Sequence, residues 1–271
     1  MFKKIINSLL LLLSTFTCFI TPSFAKTTEV NLAYIGNTDH TAYLGVQQGL
    51  SEANLQGKFL NHHYTLVTIT PEESLTTDYD NYIAVITAVD TDSFKKITAI
   101  LPDKPVFNVT IGDDNLRLDC LDNALHVIPS DQMKSDAEDQ WNKKEPNSKA
   151  VAQAWHQDFK KFAARDLNKR FLKEHQTKMD DYAWAGWAAI KIASDTITRE
   201  NITDSTKLLT YLKTDLSFDG QKGIDMNFRQ TGQLRQPLII VQEGKIVAEA
   251  PIRGIATPPT VDSLGNLNCA K

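Results

Sequence analysis

Residues 30–57, VNLAYIGNTDHTAYLGVQQGLSEANLQG, place a strand, a turn and a helix in immediate succession, and this confines the chain to few folds. Val30, Leu32, Tyr34 and Ile35 form a short β-rich apolar run that stops at Gly36, and the polar loop Asn37, Thr38, Asp39, His40 follows. Thr41 or a neighbour can cap the helix; Leu44, Gln47, Gln48, Leu50 and Ser51 keep helical spacing, and Gly57 is the expected stop. A first strand feeding a helix whose N-terminus points back over the strand ends is how α/β folds begin.

The theme recurs downstream. YTLVTI at 64–69 alternates as a strand, and YIAVI at 82–86 is a near-continuous apolar run, as a strand covered on both faces should be. Asp90, Thr91 or Asp92 caps a helix over 93–101, Pro102 and Pro105 punctuate, and VFNV at 106–109 is the next strand. Strand, helix, strand at this spacing requires a parallel pair with a right-handed crossover, and ligands of such sheets sit beyond the carboxyl ends of the strands. The predicted floor of a site is therefore three loops, at 37–41, 87–91 and 110–114. Their candidate ligand-binding residues are Asn37, Thr38, Thr41, Thr87, Ala88 and Thr110. Hydroxyls beside helix starts suit a small anion held by free backbone N–H groups, though the same residues are also ordinary helix caps.

Residues 1–25 open with Lys3 and Lys4, pass through an apolar run over 9–20 and reach Ser23-Phe24-Ala25, the pattern of a cleavable secretory signal. The run is about a dozen residues, short of the roughly 20 that a spanning helix needs, so the expected product is exported to the periplasm. Removing two lysines and no acid takes the formal charge from −4 to −6. A mildly acidic chain without a Lys/Arg run offers no stripe for nucleic acid or an anionic membrane surface. The remaining 246 residues can hold one large domain or two small ones. Cys120 and Cys269 remain after cleavage, and an oxidising compartment favours a bridge over two free thiols.

LHVI at 125–128 reads as one more short strand, and Pro129-Ser130 opens a helix through 141. The stretch NKKEPNSK at 142–149 reads as a linker. A helical run is expected over 150–175 and another over 180–199, where Trp184 and Trp187 stand among alanines as core residues. A short helix over 206–214, strands over 222–228 and 237–241, and a hairpin through Glu243-Gly244 follow. The expected division is a first α/β lobe over 26–141, the linker, helices packing back on that lobe over 150–215, a small β segment over 216–250 and an irregular tail over 251–271.

No catalytic or cofactor set emerges. His62 and His63 are adjacent and would face opposite sides of a strand. Asp215, Ser217 and Asp219 copy half of a calcium loop, but Met226 stands where its closing Glu belongs. Cys120 lies among acids that raise a thiol pKa. Glycine-rich phosphate loops and the Gly-x-Ser-x-Gly elbow are missing, so neither an enzyme, nor a metal, nor a nucleotide cofactor is expected.

Four stretches carry a family resemblance: AYLGVQQGLSEANLQG, DDNLRLDCLDNALHVIPSDQM, DDYAWAGWAAIKIASDTITR and FDGQKGIDMNFRQTGQLRQPLII. Together they resemble the type I periplasmic solute-binding proteins of the leucine/isoleucine/valine-binding class. More narrowly, they are similar to the ABC-transporter substrate-binding proteins associated with pyrroloquinoline-quinone-dependent alcohol dehydrogenase systems. The resemblance implies a ligand cleft between two α/β lobes and a membrane permease or a quinoprotein dehydrogenase as partner. It also implies an alternative role as a non-transport scaffold of that oxidation system. Thr87, Ala88 and Thr110 match by position the family's carboxylate-holding residues in the first lobe. The acid and aromatic cover that the second lobe supplies have no counterpart in this sequence. About a hundred residues of a second lobe are expected to be missing. The fold expected is thus a parallel-sheet lobe with a strongly reduced second lobe, whose open cleft a homodimer could cover. Cysteines also occur in the resembled family at the positions of Cys120 and Cys269.

Overall fold

The computed structural model describes residues 27–270, so the expected signal segment lies outside the described residues. Five parallel strands, β1 (Thr28–Gly36), β2 (His62–Ile69), β3 (Ala84–Ala88), β4 (Val106–Asn108) and β5 (Ala124–His126), form a sheet in the order β2-β1-β3-β4-β5. The order reverses beside β1, which creates the crevice at which such sheets bind ligands. Alternation along the strands covers both faces. Leu32, Tyr34, Ile86 and Phe107 face one core, and Ala33, Ile35, Val85 and Val106 face a second core with Phe94 and Ile97 of α2 (Thr91–Ile100).

Helix α1 (Thr41–Leu60) follows β1 as expected, with two differences at its ends. His40 is the N-cap, its Nδ1 accepting the Ala42 N–H, and Gly57 does not stop the helix, which runs to a left-handed Asn61. A side chain at Gly57 would lie 2.2 Å from the His62 carbonyl oxygen, so this glycine serves the close return of β2.

The long helix α6 (Asp181–Glu200) starts on an Asp180 cap and lies against α1. Its Trp184 and Trp187 share the core of Leu32 and Tyr34, as the sequence predicts. The contact is a seam of small residues: a Cβ at Gly45 would sit 1.8 Å from the Ala183 oxygen, and one at Gly186 2.2 Å from the Ala42 oxygen. Glu52 adds a polar clasp, accepting from Trp187 Nε1 at 2.9 Å and from Arg170 at 2.9 Å.

The run expected as one helix over 150–175 divides. Val151–Gln153 is a strand, β6, and only Ala164–His175 is helical, α5. Residues between them fold back on Trp155, whose ring meets Phe159 edge-on and whose Nε1 donates to Asn168, so helix-like apolar spacing arises from a packed loop. The stretch 222–228 makes only isolated bridges, between Phe218 and Met226 and between Phe228 and Leu234. Gly220, Gln221 and Gly223 take left-handed backbone there and prevent a regular ladder. The hairpin is present as β7 (Leu238–Gln242) and β8 (Lys245–Ala250), with β6 completing a small antiparallel sheet in the order β6-β7-β8.

Helix α4 (Asp131–Lys144), grouped by sequence with the first lobe, packs on this second sheet. Met133, Ala137 and Trp141 form a stripe that meets Ala152, Leu238, Ile240 and Ala250 in a core of their own. The irregular tail returns across α4. Arg229 donates to the Leu264 and Val261 carbonyls, and Cys269 is bridged to Cys120 with Cα atoms 5.6 Å apart.

Buried polar groups fix the chain where it crosses between the two sheets. Arg117 on α3 (Asp114–Leu118) donates to Gln233 at 3.0 Å and to the carbonyls of Ile111, Asp113 and Ile128. Gln233 donates to the His126 and Ile128 oxygens, and Gln236 to the Val127 oxygen. Lys222, fully enclosed, donates to Gln236 at 2.7 Å and to the Pro237 oxygen at 3.1 Å, with its ammonium 3.9 Å from the Trp184 ring centre.

Three outcomes follow from this architecture. Gly45→Ala should lower unfolding stability by about 1–3 kcal/mol through overpacking against α6, measured by urea titration with an unchanged m-value. Thiol labelling of the unreduced, denatured protein should find Cys120 and Cys269 unreactive, and Cys269→Ser should cost about 2–4 kcal/mol. Burial pushes the Lys222 ammonium down to about 7, with the Asp181 charge opposing it. Because the unfolded lysine titrates near 10.4, the unfolded chain holds a proton between these values that the folded chain has lost. Stability should therefore rise from pH 7 to 9, by up to about 1 kcal/mol per pH unit, and Lys222→Met should lose that slope in denaturation curves taken across the range.

Candidate functional site

The strand register brings the predicted loops together. Gly36 pairs with Ala88 and Thr87 with Asn108, so the loops after β1, β3 and β4 emerge side by side. Asn37 and Thr38 are exposed, and the Asn37 side chain accepts the Asp39 N–H in a tight local turn. Ala88 is half-buried, with its oxygen close enough to Gly36 to exclude any side chain there. Thr87 is fully buried, and its hydroxyl donates to the Phe107 oxygen at 2.9 Å, so it braces the sheet beneath Ala88. Thr110 has a buried hydroxyl without a hydrogen-bond partner. The Asn108 amide accepts the N–H groups of Thr110 and Ile111, and Arg117 holds the Ile111 oxygen, so this loop is rigid. On its far side Asp131 donates its N–H to the Gly112 oxygen.

Thr41 connects these loops to the start of α6. Its hydroxyl donates to the Asp180 carboxylate at 2.8 Å, and the His40 ring meets Tyr182 edge-on with centres 5.0 Å apart. Beside this junction opens a cavity of about 390 Å³, bounded by the first residues of α6 and by the segment that leaves β6. Trp155, His156, Met179 and Tyr182 supply its aromatic and apolar lining, and Gln153, Gln157 and Lys178 its polar rim. Asp181 also lines it, accepting the Trp155 N–H at 2.9 Å and pairing with Lys134 of α4 at 3.3 Å. The cavity thus lies between elements of the two sheets, and its volume falls in the small-molecule range.

None of the six loop residues expected from sequence lines this cavity, and of them Thr41 alone is bonded to a residue that does, Asp180. Asp180 was legible as a helix start, but His156, Tyr182 and Lys134 carry no motif, because their proximity is made only by the return of 153–157 against α6. Burial, then the nearby Arg117 charge, pushes the imidazole of His126 well below its ordinary value.

No family model matches the sequence, and no curated protein sequence matches it. Solved structures do. A periplasmic binding protein from Burkholderia mallei superposes with a TM-score of 0.69 at 10% identity, covering 87% of this chain and 99% of that one. An ABC transporter substrate-binding protein from Desulfitobacterium hafniense, in complex with Leu, gives 0.68 at 12% identity over 82% of this chain and 99% of that one. The solute-binding protein of an ABC transporter from R. palustris, in complex with benzoate, gives 0.63 at 10% identity over 82% and 95%. At such identities the likeness is one of fold. With its five-stranded parallel sheet in the order β2-β1-β3-β4-β5, the chain has the type I periplasmic-binding-protein fold.

Proposed function

We propose that this protein is a periplasmic solute-binding component of an ABC transport system, holding a small polar or anionic ligand at the carboxyl ends of β1, β3 and β4. The observation that carries the reading is the cavity at the start of α6, joined to the loop after β1 by the Thr41–Asp180 bond. The solved structures of this fold include proteins holding leucine and benzoate. Among the described residues no helix is long and apolar enough to cross a membrane, so delivery would fall to a separate permease.

Within this reading the ligand is met by backbone N–H groups near Asn37, Thr38 and Ala88, by the unpartnered hydroxyl of Thr110, and by Thr41 through its hold on Asp180. Thr87 acts as a support for Ala88. The second sheet, with three strands and one packed helix, is a strongly reduced second lobe, and an open cleft follows from it. A second copy of the chain covering the loops would close it.

The same reduction favours a second reading, a non-transport scaffold of a periplasmic quinoprotein dehydrogenase. The link to alcohol oxidation rests on the resemblance of residues 220–223 and 232–237. In the structure those residues also meet an internal need, since Lys222, Gln233 and Gln236 build the crossing between sheets.

Two or three charged hydrogen bonds of about 1.5–3 kcal/mol each, set against several kcal/mol of association cost, leave weak binding in a cleft with one good wall. Calorimetry on the monomer should show dissociation constants for leucine, isoleucine and valine no tighter than about 1 mM. A micromolar isotherm for any of the three, lost in Thr110→Ala, would exclude the scaffold reading and restore ordinary amino-acid transport.

A further inference from the structure

The cavity beside α6 has an unequal supply of free donors and acceptors. Both of its carboxylates are committed. Asp180 accepts from Ala183 N–H at 2.8 Å and from Thr41 at 2.8 Å, and Asp181 accepts from Trp155 N–H and pairs with Lys134. A ligand ammonium would have to share either carboxylate with the partners already in place.

The donors are in the opposite state. His156 is nine-tenths buried, and its Nδ1 accepts the Asp158 N–H at 3.1 Å, which places the ring proton on Nε2. Among the described residues that Nε2 has no hydrogen-bond partner, and His156 lines the cavity. Tyr182 and Lys178 line the same space, and among the described residues neither side chain has a hydrogen-bond or ion-pair partner. The N-terminus of α6, a helix of 20 residues, adds the N–H groups of Asp181 and Tyr182 ahead of the capped Ala183. Lys134 offsets the charge of Asp181, and the Asp180 carboxylate is met by the Ala183 N–H and the Thr41 hydroxyl, while Asp158 lies on the Nδ1 side of His156, 4.0 Å away. Trp155 and Met179 bound the remainder with apolar surface.

From this imbalance we infer that the cavity selects a small monocarboxylate with an apolar body and no ammonium group, such as a branched aliphatic, aromatic or 2-oxo acid, over the corresponding α-amino acid. The carboxylate accepts from His156 Nε2, the Tyr182 hydroxyl and the first N–H groups of α6, and the body lies against Trp155 and Met179. This assignment rests on the solute-binding reading given above.

The test is calorimetry and thermal shift on the mature, disulfide-bonded protein with 4-methylpentanoate, 4-methyl-2-oxopentanoate, benzoate and leucine. At least one of the three acids should bind about tenfold or more tightly than leucine, one charged hydrogen bond being worth at least that ratio. Tyr182→Phe, which removes only the hydroxyl, and His156→Gln should each weaken that acid about tenfold while the melting temperature without ligand stays near wild type. If leucine binds as tightly as the acids, or if both variants bind the acid like wild type, the ligand assignment is wrong and solute binding stands. If none of the four shifts the melting temperature up to about 10 mM, the solute-binding reading falls and the assignment with it.

Discussion

The structure depends on how the chain crosses between its two sheets without leaving buried backbone groups unpaired. At β5 and again before β7 the polypeptide runs through the interior, where a single backbone bridge around His126 leaves most carbonyls without a strand partner. Side chains do so instead. Gln236 reaches the Val127 oxygen, Gln233 the oxygens of His126 and Ile128, and Arg117 those of Ile111, Asp113 and Ile128. A buried carbonyl without a partner costs about 1–3 kcal/mol, so several such groups together decide whether this arrangement exists at all. Removing one member of the network strands the others, which makes the crossing an all-or-none unit. It also holds the loop 110–112 in place, and so links the internal polar network to the floor of the candidate site.

What could be read in advance was local. The β1 run, the Asp90, Ser130 and Asp180 caps, and the turn at Glu243-Gly244 each announce themselves within a few residues, because caps and turns act on their own neighbours. What could not be read was the choice between partners. The stripe Met133, Ala137, Trp141 specifies a buried face without saying which sheet buries it, and only the return of β6 and β7 settles that. The apolar spacing over 155–163 is shared by a helix and by a loop wrapped on Trp155. A hydroxyl at a strand end serves a ligand or the next strand equally well in sequence; Thr87 turned to Phe107 and Thr110 did not turn to anything.

The site follows the same division. Its floor is dictated by parallel topology and was visible as three loops after three strands. Its walls, 153–157 and 178–182, are held together by the Trp155–Asp181 bond and joined to the loop after β1 by the Thr41–Asp180 bond. Asp180 and Asp181, both half-buried beside the cavity, serve in the fold as a helix cap and a loop anchor.

The seam of Gly45 and Gly186 bears on how this chain acquires its structure over time. Helix α1 ends at residue 60, but the surface it must bury against is not made until residues 181–200 exist. An emerging chain therefore holds its first sheet with one face bare, and a helix notched by glycine is a poor former on its own. Such long-range closure delays productive collapse until most of the polypeptide is available.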